Sequence, residues 1–458
     1  MGKDQVNSTS KVRIAAVKIV YDVNENGAYT NLALDKYLRN SLLIANDRSL
    51  LTEIVNGTIR MMKHLDWVLN HFLRTKINRQ NKWLRNILRV SLYQILFMDG
   101  VPDYAAVNEG VTMTRKMVGK ELAGVVNGVL RNIIRNKEKI EFPPKDNLVK
   151  YFSVYYSHPE WIVEYLLNLY GPEETMQILT YNNQPPDVQI RTNILAGTRE
   201  ELVEKLEAEN VICKTSHVNP WGIRIKSPKP VGELHAYNEG RFYVQNSASM
   251  LAAPLLHPEE GSIVYDLCSG VGGKTTHLAE YMHNKGRILA LDLYSQKAEL
   301  LKSNCLRLGI TMVESFSQDV LEIDQNMPLA QSVLLDAPCS GLGVLNRRSD
   351  SRWRKLPDEI TILQQLQEKL IHKAGDLVGE GGLLLYSTCT VAKGENEDIV
   401  KNFMANSSFQ LENIVQYIPF FPFDQEDRKT AESGMLTIKP GKYGTDGMFY
   451  ALMRRKYS

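Results

Sequence analysis

The chain has 458 residues, of which 43% are hydrophobic, and 54 Lys and Arg stand against 52 Asp and Glu. That length suggests two to four domains, and that apolar content excludes a disordered chain. No apolar run approaches the roughly 18 residues of a membrane helix, and Met1–Lys11 is polar without a signal-peptide core, so the expected compartment is the cytoplasm.

Cys213, Cys268, Cys305, Cys339 and Cys389 are scattered and never form a Cys-x-x-Cys pair. This argues against a disulfide framework and against a structural metal, and it suits a reducing compartment. The net charge of +2 conceals an asymmetry. Residues 1–140 carry 22 Lys and Arg against 12 Asp and Glu, and the remainder carries 32 against 40. A basic front end on an acidic body points to a nucleic-acid partner for the front.

From Lys11 to about Lys139 the pattern is helical, with Val12, Ala15, Ala16, Ile19 and Val20 at helical spacing. The clearest helix covers about Asn81–Met98. Leu84, Ile87, Leu88, Leu92, Ile95 and Leu96 form its apolar stripe, and Lys82, Arg85 and Arg89 fall on the other side as candidate RNA contacts. Gly27-Ala28-Tyr29, Leu92-Tyr93-Gln94-Ile95-Leu96, Val107-Asn108-Glu109 and Val125-Val126-Asn127-Gly128 occur in an order that resembles the NusB-like RNA-binding domain. That resemblance implies an all-α bundle over 1–140.

Glu141–Asp146 contains two prolines and reads as a linker, placed at 141–150. A helix over about Pro159–Tyr170 is expected to stop at Gly171-Pro172. Val188–Arg191 reads as strand, Thr198 and Glu201 as a capping box, and Val211–Lys214 and Gly222–Lys226 as further strands. These define a small α+β module of the RRM or ferredoxin-like kind over 151–240. Ser157–Trp161 and Val244–Ser249 carry no mechanism by themselves.

From about Gly261 the pattern becomes strand, glycine turn, helix, repeated, which implies a doubly wound, Rossmann-like sheet over 241–458. Ile263–Leu267 leads into Cys268-Ser269-Gly270-Val271-Gly272-Gly273-Lys274, and the next strand ends in Asp292. Glycines let backbone approach a ligand, and an acid about 20 residues on accepts hydrogen bonds from a ribose. The loop lacks both the phosphate-loop and the three-glycine dinucleotide spacing, so S-adenosylmethionine fits better than ATP or NAD. Asp319, after a third strand, is placed to read the adenine amino group.

Val333-Leu334-Leu335 runs into Asp336-Ala337-Pro338-Cys339, and Leu383–Tyr386 runs into Ser387-Thr388-Cys389. Two thiols and a carboxylate at neighbouring strand ends suggest covalent chemistry. Methylating carbon five of cytosine needs such a set: a thiolate at ring carbon six, an acid at ring nitrogen three, and a second group to aid release.

These segments, with Glu395-Asn396-Glu397 and Thr445–Ala451, resemble the bacterial small-subunit (16S) ribosomal RNA cytosine-5 methyltransferases of the Fmu/Sun group in the NOL1/NOP2/Sun family. The resemblance implies Cys389 as nucleophile, Cys339 as the residue aiding release, Asp336 at the base and Lys274 hydrogen-bonding in the active site. It also implies Cys268–Lys274, Asp292, Asp319 and Asp336 around S-adenosylmethionine. The loop Asn346-Arg347-Arg348-Ser349-Asp350 lacks the family's His-Pro, and Arg347 is its candidate RNA contact. The expected partner is 16S ribosomal RNA, with no DNA and no membrane, bound by a monomer. The alternative is an RNA-binding assembly or antitermination factor with weak or lost methyltransferase activity. The presence of Cys389 and Asp292 counts against it.

Overall fold

The helical spacing at the front of the chain is realised as a bundle. In a computed structural model describing residues 3–324 and 326–457, Val12, Ala15, Ala16, Ile19 and Val20 are all buried on the helix Lys3–Asn26. Met1 and Gly2, which open the polar N-terminal stretch, lie outside the described residues. The helix Lys82–Phe97 starts where Asn81 Oδ1 accepts from the amides of Trp83 and Leu84, and it buries the expected stripe up to Ile95. None of the described helices is long and apolar enough to cross a membrane.

Residues up to Pro186, together with Leu345–Lys355, form one compact unit, and Asp187–Val344 with the chain from Leu356 onward form the other. The helices Leu148–Tyr155 and Glu160–Asn182 belong to the front unit, whereas the small sheet belongs to the second. The helix that starts at Glu160 stops at Gly171 as expected, and a second one follows directly. Gly171, at φ 74°, breaks the first, and the second starts at once because Pro172 occupies a first-turn position where no amide donor is needed.

The small sheet holds β1 (Val188–Thr192), β2 (Ile212–Thr215), β3 (Gly222–Lys226) and β4 (Phe242–Val244) in the antiparallel order β2-β3-β1-β4. Its fourth strand comes from beyond residue 240. The capping box is present as read, with Thr198 Oγ1 accepting from the Glu201 amide.

The large sheet has β5 (Ile263–Leu267), β6 (Arg287–Asp292), β7 (Val313–Ser317), β8 (Ala330–Asp336) and β9 (Val378–Thr388), all parallel where they pair. β10 (Phe409–Leu411), β11 (Met435–Ile438) and β12 (Met448–Arg455) complete it, with β12 antiparallel to the other two and to β9. The order β10-β12-β9-β8-β5-β6-β7 places a switch point between β5 and β8. Chain leaving these strands diverges to opposite faces there, and a crevice opens at their carboxyl ends. The glycine loop, Asp336 and Cys389 stand at the ends of β5, β8 and β9, so the Rossmann-like reading holds.

The loop after the second glycine of Gly341-Leu342-Gly343 takes a course unlike a solvent-facing substrate loop. Residues 345–355 belong to the front unit. Arg352, fully buried, donates to the carbonyls of Ser157 (3.1 Å) and Asn182 (2.7 Å) and to Asn183 Oδ1 (2.7 Å). Trp353 Nε1 donates to the Ile59 carbonyl at 2.8 Å, and Arg354 to that of Ala28. A buried guanidinium is tolerated only when its donors are met, and these carbonyls meet most of them.

Candidate active site

β5 delivers a buried run into Asp266, and the chain then turns through Cys268 at φ 64° and Gly270 at φ 59°. Gly272, at φ 93°, starts the helix Gly273–Tyr281, and a Cβ there would meet Leu301 Cδ1 at 2.2 Å. Only glycine allows this packing with this backbone. The loop, with Asp266, Tyr243, Gln245, Lys274 and Asp336, lines a cavity of about 260 Å³.

Burial holds the Asp266 carboxyl up at about 7, with Asp336 and Asp292 adding repulsion against the help of Thr275 and Lys274. Thr275 Oγ1 donates to its Oδ2 at 2.5 Å, while its Oδ1 and Ser269 Oγ are buried without a partner. Burial also pushes the Cys268 thiol up to about 12, so it stays protonated where it lines the cavity. Asp292 reaches the same loop: its Oδ2 accepts from Gly270 N at 3.0 Å and its Oδ1 from Tyr294 N at 3.0 Å. Asp319 is half-buried and caps a short turn by accepting from Leu321 N at 2.9 Å. Asp292 and Asp319 stand outside the lining of the cavity itself.

β8 and β9 are hydrogen-bonded neighbours, with Asp336 opposite Ser387. Ser387 Oγ donates to Asp336 Oδ1 at 2.8 Å, and Lys274 Nζ sits 2.6 Å from Asp336 Oδ2. Beyond the strand ends, Cys339 Sγ and Cys389 Sγ are 3.4 Å apart, a hydrogen-bond distance between two free thiols. The hydrogen bond to Cys389, and then burial, raise the Cys339 thiol well above its ordinary value. Gly343 N donates to the Cys389 carbonyl at 3.0 Å, and a Cβ on Gly343 would meet that oxygen at 2.8 Å. Every residue expected in the catalytic set, Asp336, Cys339, Cys389 and Lys274, is therefore in one place.

The candidate RNA residues fare differently. Arg85 is bonded through two nitrogens to the buried Glu25, and Arg89, 7% exposed, forms a bidentate pair with Asp66 at 2.7 Å. The open basic face expected of Lys82, Arg85 and Arg89 is thus reduced to Lys82, whose side chain is 61% exposed. Helical spacing places a side chain on a face but does not show that a neighbouring helix carries an acid against it. Arg347 is half-buried at the start of the segment that joins the front unit.

Sequence reading missed the support beneath the glycine loop. Arg191 of β1 and Glu280 are both fully buried and 2.6 Å apart, and Arg191 also donates to the Gly273 carbonyl at 2.7 Å, to Thr276 Oγ1 at 2.9 Å and to Gln245 Oε1. Tyr243 OH donates to the Val271 carbonyl at 3.1 Å. Gln245 lay inside the stretch Val244–Ser249, and Asp266 ends its strand much as Asp292 does; both signals were legible.

A switch-point crevice with a glycine loop, strand-end acids and a cavity bordered by unpaired polar atoms defines a Rossmann-like methyltransferase. A family model described as 16S rRNA methyltransferase RsmB/F matches residues 253–454, a NusB family model matches 10–135, and a ferredoxin-like domain model of RsmF/B-like methyltransferases matches 158–232. The probable ribosomal RNA small subunit methyltransferase B of Bacillus subtilis is 32% identical, over 98% of this chain and 99% of that protein. The crystal structure of PH0851 superposes with a TM-score of 0.79 at 28% identity, over 98% of each chain. NSun6 from Pyrococcus horikoshii, solved with SFG, gives a TM-score of 0.59 at 25% identity, over 66% of this chain and 99% of that one. The chain belongs to the 16S rRNA methyltransferase RsmB/F family.

Proposed function

We propose that the protein methylates carbon five of a cytidine in 16S ribosomal RNA through a transient bond between Cys389 and ring carbon six, working as a cytoplasmic monomer. The observation that carries this reading is the pair of sulfurs 3.4 Å apart at adjacent strand ends, beside the Asp336–Lys274 pair. Carbon five of cytosine is a weak nucleophile. Addition of a thiolate to carbon six breaks the aromatic system and makes carbon five an enamine carbon.

The two sulfurs lie within hydrogen-bond distance and either can donate; with Cys389 as the attacking group, Cys339 is the thiol that keeps its proton for the departing sulfur. Asp336, held from both sides by Lys274 and Ser387, is the group to accept from the N–H that ring nitrogen three gains from solvent water as the adduct forms and returns to water as it breaks down. S-adenosylmethionine supplies the methyl group when bound. The proton on carbon five then leaves to solvent water, its bonding pair restores the double bond between carbons five and six, and the bond from carbon six to Cys389 breaks. Cys389 departs as a thiolate stabilised by the Cys339 S–H.

The residues that would hold the methyl donor are Cys268–Lys274, with Asp292 for the ribose and Asp319 for the adenine amino group. They suit it. Among the described residues, Asp266 Oδ1 and Ser269 Oγ are unpaired beside the cavity, no atom lies within 4 Å of where a Cβ on Gly270 would be, and Asp292 Oδ1 accepts from Tyr294 N. NSun6, a relative solved with SFG, an analogue of S-adenosylmethionine, supports the same choice. In the front unit, Lys82 is the proposed RNA contact, since it faces solvent most openly while Arg85 and Arg89 are held by Glu25 and Asp66, and Arg347 is the candidate on the segment 345–355.

The test uses 16S RNA carrying tritium on carbon five of cytidine. Incubation with S-adenosylmethionine should release tritium in step with methyl incorporation. Methyl incorporation with the tritium retained would assign the methyl group to another atom.

A further inference from the structure

Glu395 belongs to a motif whose chemistry is otherwise unused. It is fully buried, yet its carboxylate is fully engaged. Its Oε1 accepts from Ser340 N at 2.8 Å and from Gln367 Nε2 at 3.1 Å, and its Oε2 accepts from Ser340 Oγ. Gln367 Nε2 also donates to the Pro338 carbonyl at 2.8 Å, so the turn is pinned on both sides of Cys339. Ser340 Oγ lies 2.8 Å from Thr390 Oγ1, immediately after Cys389. Tyr386 OH donates to the Glu395 carbonyl at 2.7 Å, which ties the backbone of Glu395 to β9. One carboxylate therefore joins the residues flanking Cys339 to the residue following Cys389.

We propose that Glu395 is a positioning residue for Cys339: it fixes the Cys339 sulfur against Cys389 and thereby governs breakdown of the RNA adduct rather than its formation. Burying a carboxylate is costly unless its oxygens are met by donors, and a carboxylate so met imposes a fixed geometry. A merely structural link between two turns would be served as well by apolar packing. The negative charge adds a second effect. Cys389, burial and Glu395 all raise the Cys339 thiol, and the neighbouring Tyr386 phenol is itself raised by burial, Cys339 and Glu395. Cys339 consequently keeps the proton it directs at the departing Cys389 sulfur.

This rests on the proposed roles of Cys389 and Cys339, so both cysteine variants are run beside the Glu395 variants. Glu395→Gln preserves the hydrogen bonds: its amide oxygen accepts from Ser340 N and Gln367, and its NH₂ donates to Ser340 Oγ, whose proton turns to Thr390. It removes only the charge. Glu395→Ala removes both. The measurements are melting temperature, adduct on denaturing electrophoresis, and turnover against pH.

Glu395→Ala should form adduct at the normal rate and resolve it roughly tenfold or more slowly, as Cys339→Ala does. Glu395→Gln should turn over at neutral pH, with its alkaline limb moved to lower pH because Cys339 ionises earlier. Ser340→Ala, which keeps the amide donor and loses one hydroxyl, should accumulate adduct to a lesser degree and covers the case in which Glu395→Ala does not fold. Equal loss of adduct formation and release in folded variants, or an unmoved pH profile in Glu395→Gln, would overturn the proposal. Failure of Cys339→Ala to accumulate adduct would instead overturn the assignment of the cysteines.

Discussion

Asp336 and Ser387 sit opposite one another on adjacent parallel strands, and the Ser387 hydroxyl donates to the Asp336 carboxylate at 2.8 Å. That register decides what comes next. Three residues after Asp336 and two after Ser387 the chain reaches Cys339 and Cys389, and because the strands are aligned the two sulfurs emerge together. A one-residue slip would turn one set of side chains to the other face of the sheet.

The two thiols should separate by their variants. With Cys389 as nucleophile, Cys339→Ala should still bond to RNA and then fail to let go, leaving an adduct that survives denaturing electrophoresis. Cys389→Ala should form no adduct and no product. Exchange of these outcomes would make Cys339 the attacking group, and full activity in both variants would remove covalent catalysis by this pair.

The basic residues of the helix Lys82–Phe97 should also separate. Arg85 and Arg89 are partners of Glu25 and Asp66, so removing Arg85 takes two charged donors from Glu25, which keeps the Asn86 donor, and removing Arg89 takes two from Asp66. Arg85→Ala and Arg89→Ala should each lower stability by about 1–3 kcal/mol, read by denaturant unfolding. Lys82→Ala should leave stability within about 0.5 kcal/mol and reduce the salt dependence of RNA binding by roughly 0.7 to 0.9 in slope. Unchanged melting in the arginine variants would mean that these pairs are surface decoration. An unchanged slope in the lysine variant would remove Lys82 from the RNA contacts.

What was legible in the sequence was local. Apolar runs ending in acids gave β6 and β8, apolar runs before a glycine turn or a Ser-Thr-Cys turn gave β5 and β9, and the turn residues after these strands located Cys268–Gly273, Cys339 and Cys389. What was not legible depended on partners remote in the chain. Nothing near Arg89 marks Asp66 as its partner, and nothing near Arg191 announces that it will support the Gly273 carbonyl from another sheet. In the segment 345–355 the sequence offered Arg347 as an RNA contact and a missing His-Pro, and nothing in it showed that the segment packs into the front unit. Its burial depends on carbonyls at Ala28, Ser157 and Asn182 that lie more than 150 residues away. Glu395 was visible as part of a motif, but its work on both sides of Cys339 follows only from the turn that surrounds it.

Asp266 makes stability depend on pH in a direction opposite to that of a salt-bridged carboxylate. Its folded-state value is about 7, raised by burial from an ordinary 3.8. Between those two values the folded chain holds a proton that the unfolded chain has released, so the folded state binds more protons. Stability must then fall as pH rises through that window and level off above it. Asparagine in this position carries no titrating proton, can still accept from Thr275, and points its amide at the unpaired side. Asp266→Asn should therefore abolish this decline and, without methyl donor present, exceed the wild type in stability at pH 8 by on the order of a few kcal/mol. Parallel denaturant titrations of the two proteins from pH 4 to pH 8 provide the check. A difference that stays constant with pH, or a wild type that gains on the variant as pH rises, would mean that Asp266 is ionised in the fold and that a cation holds it so.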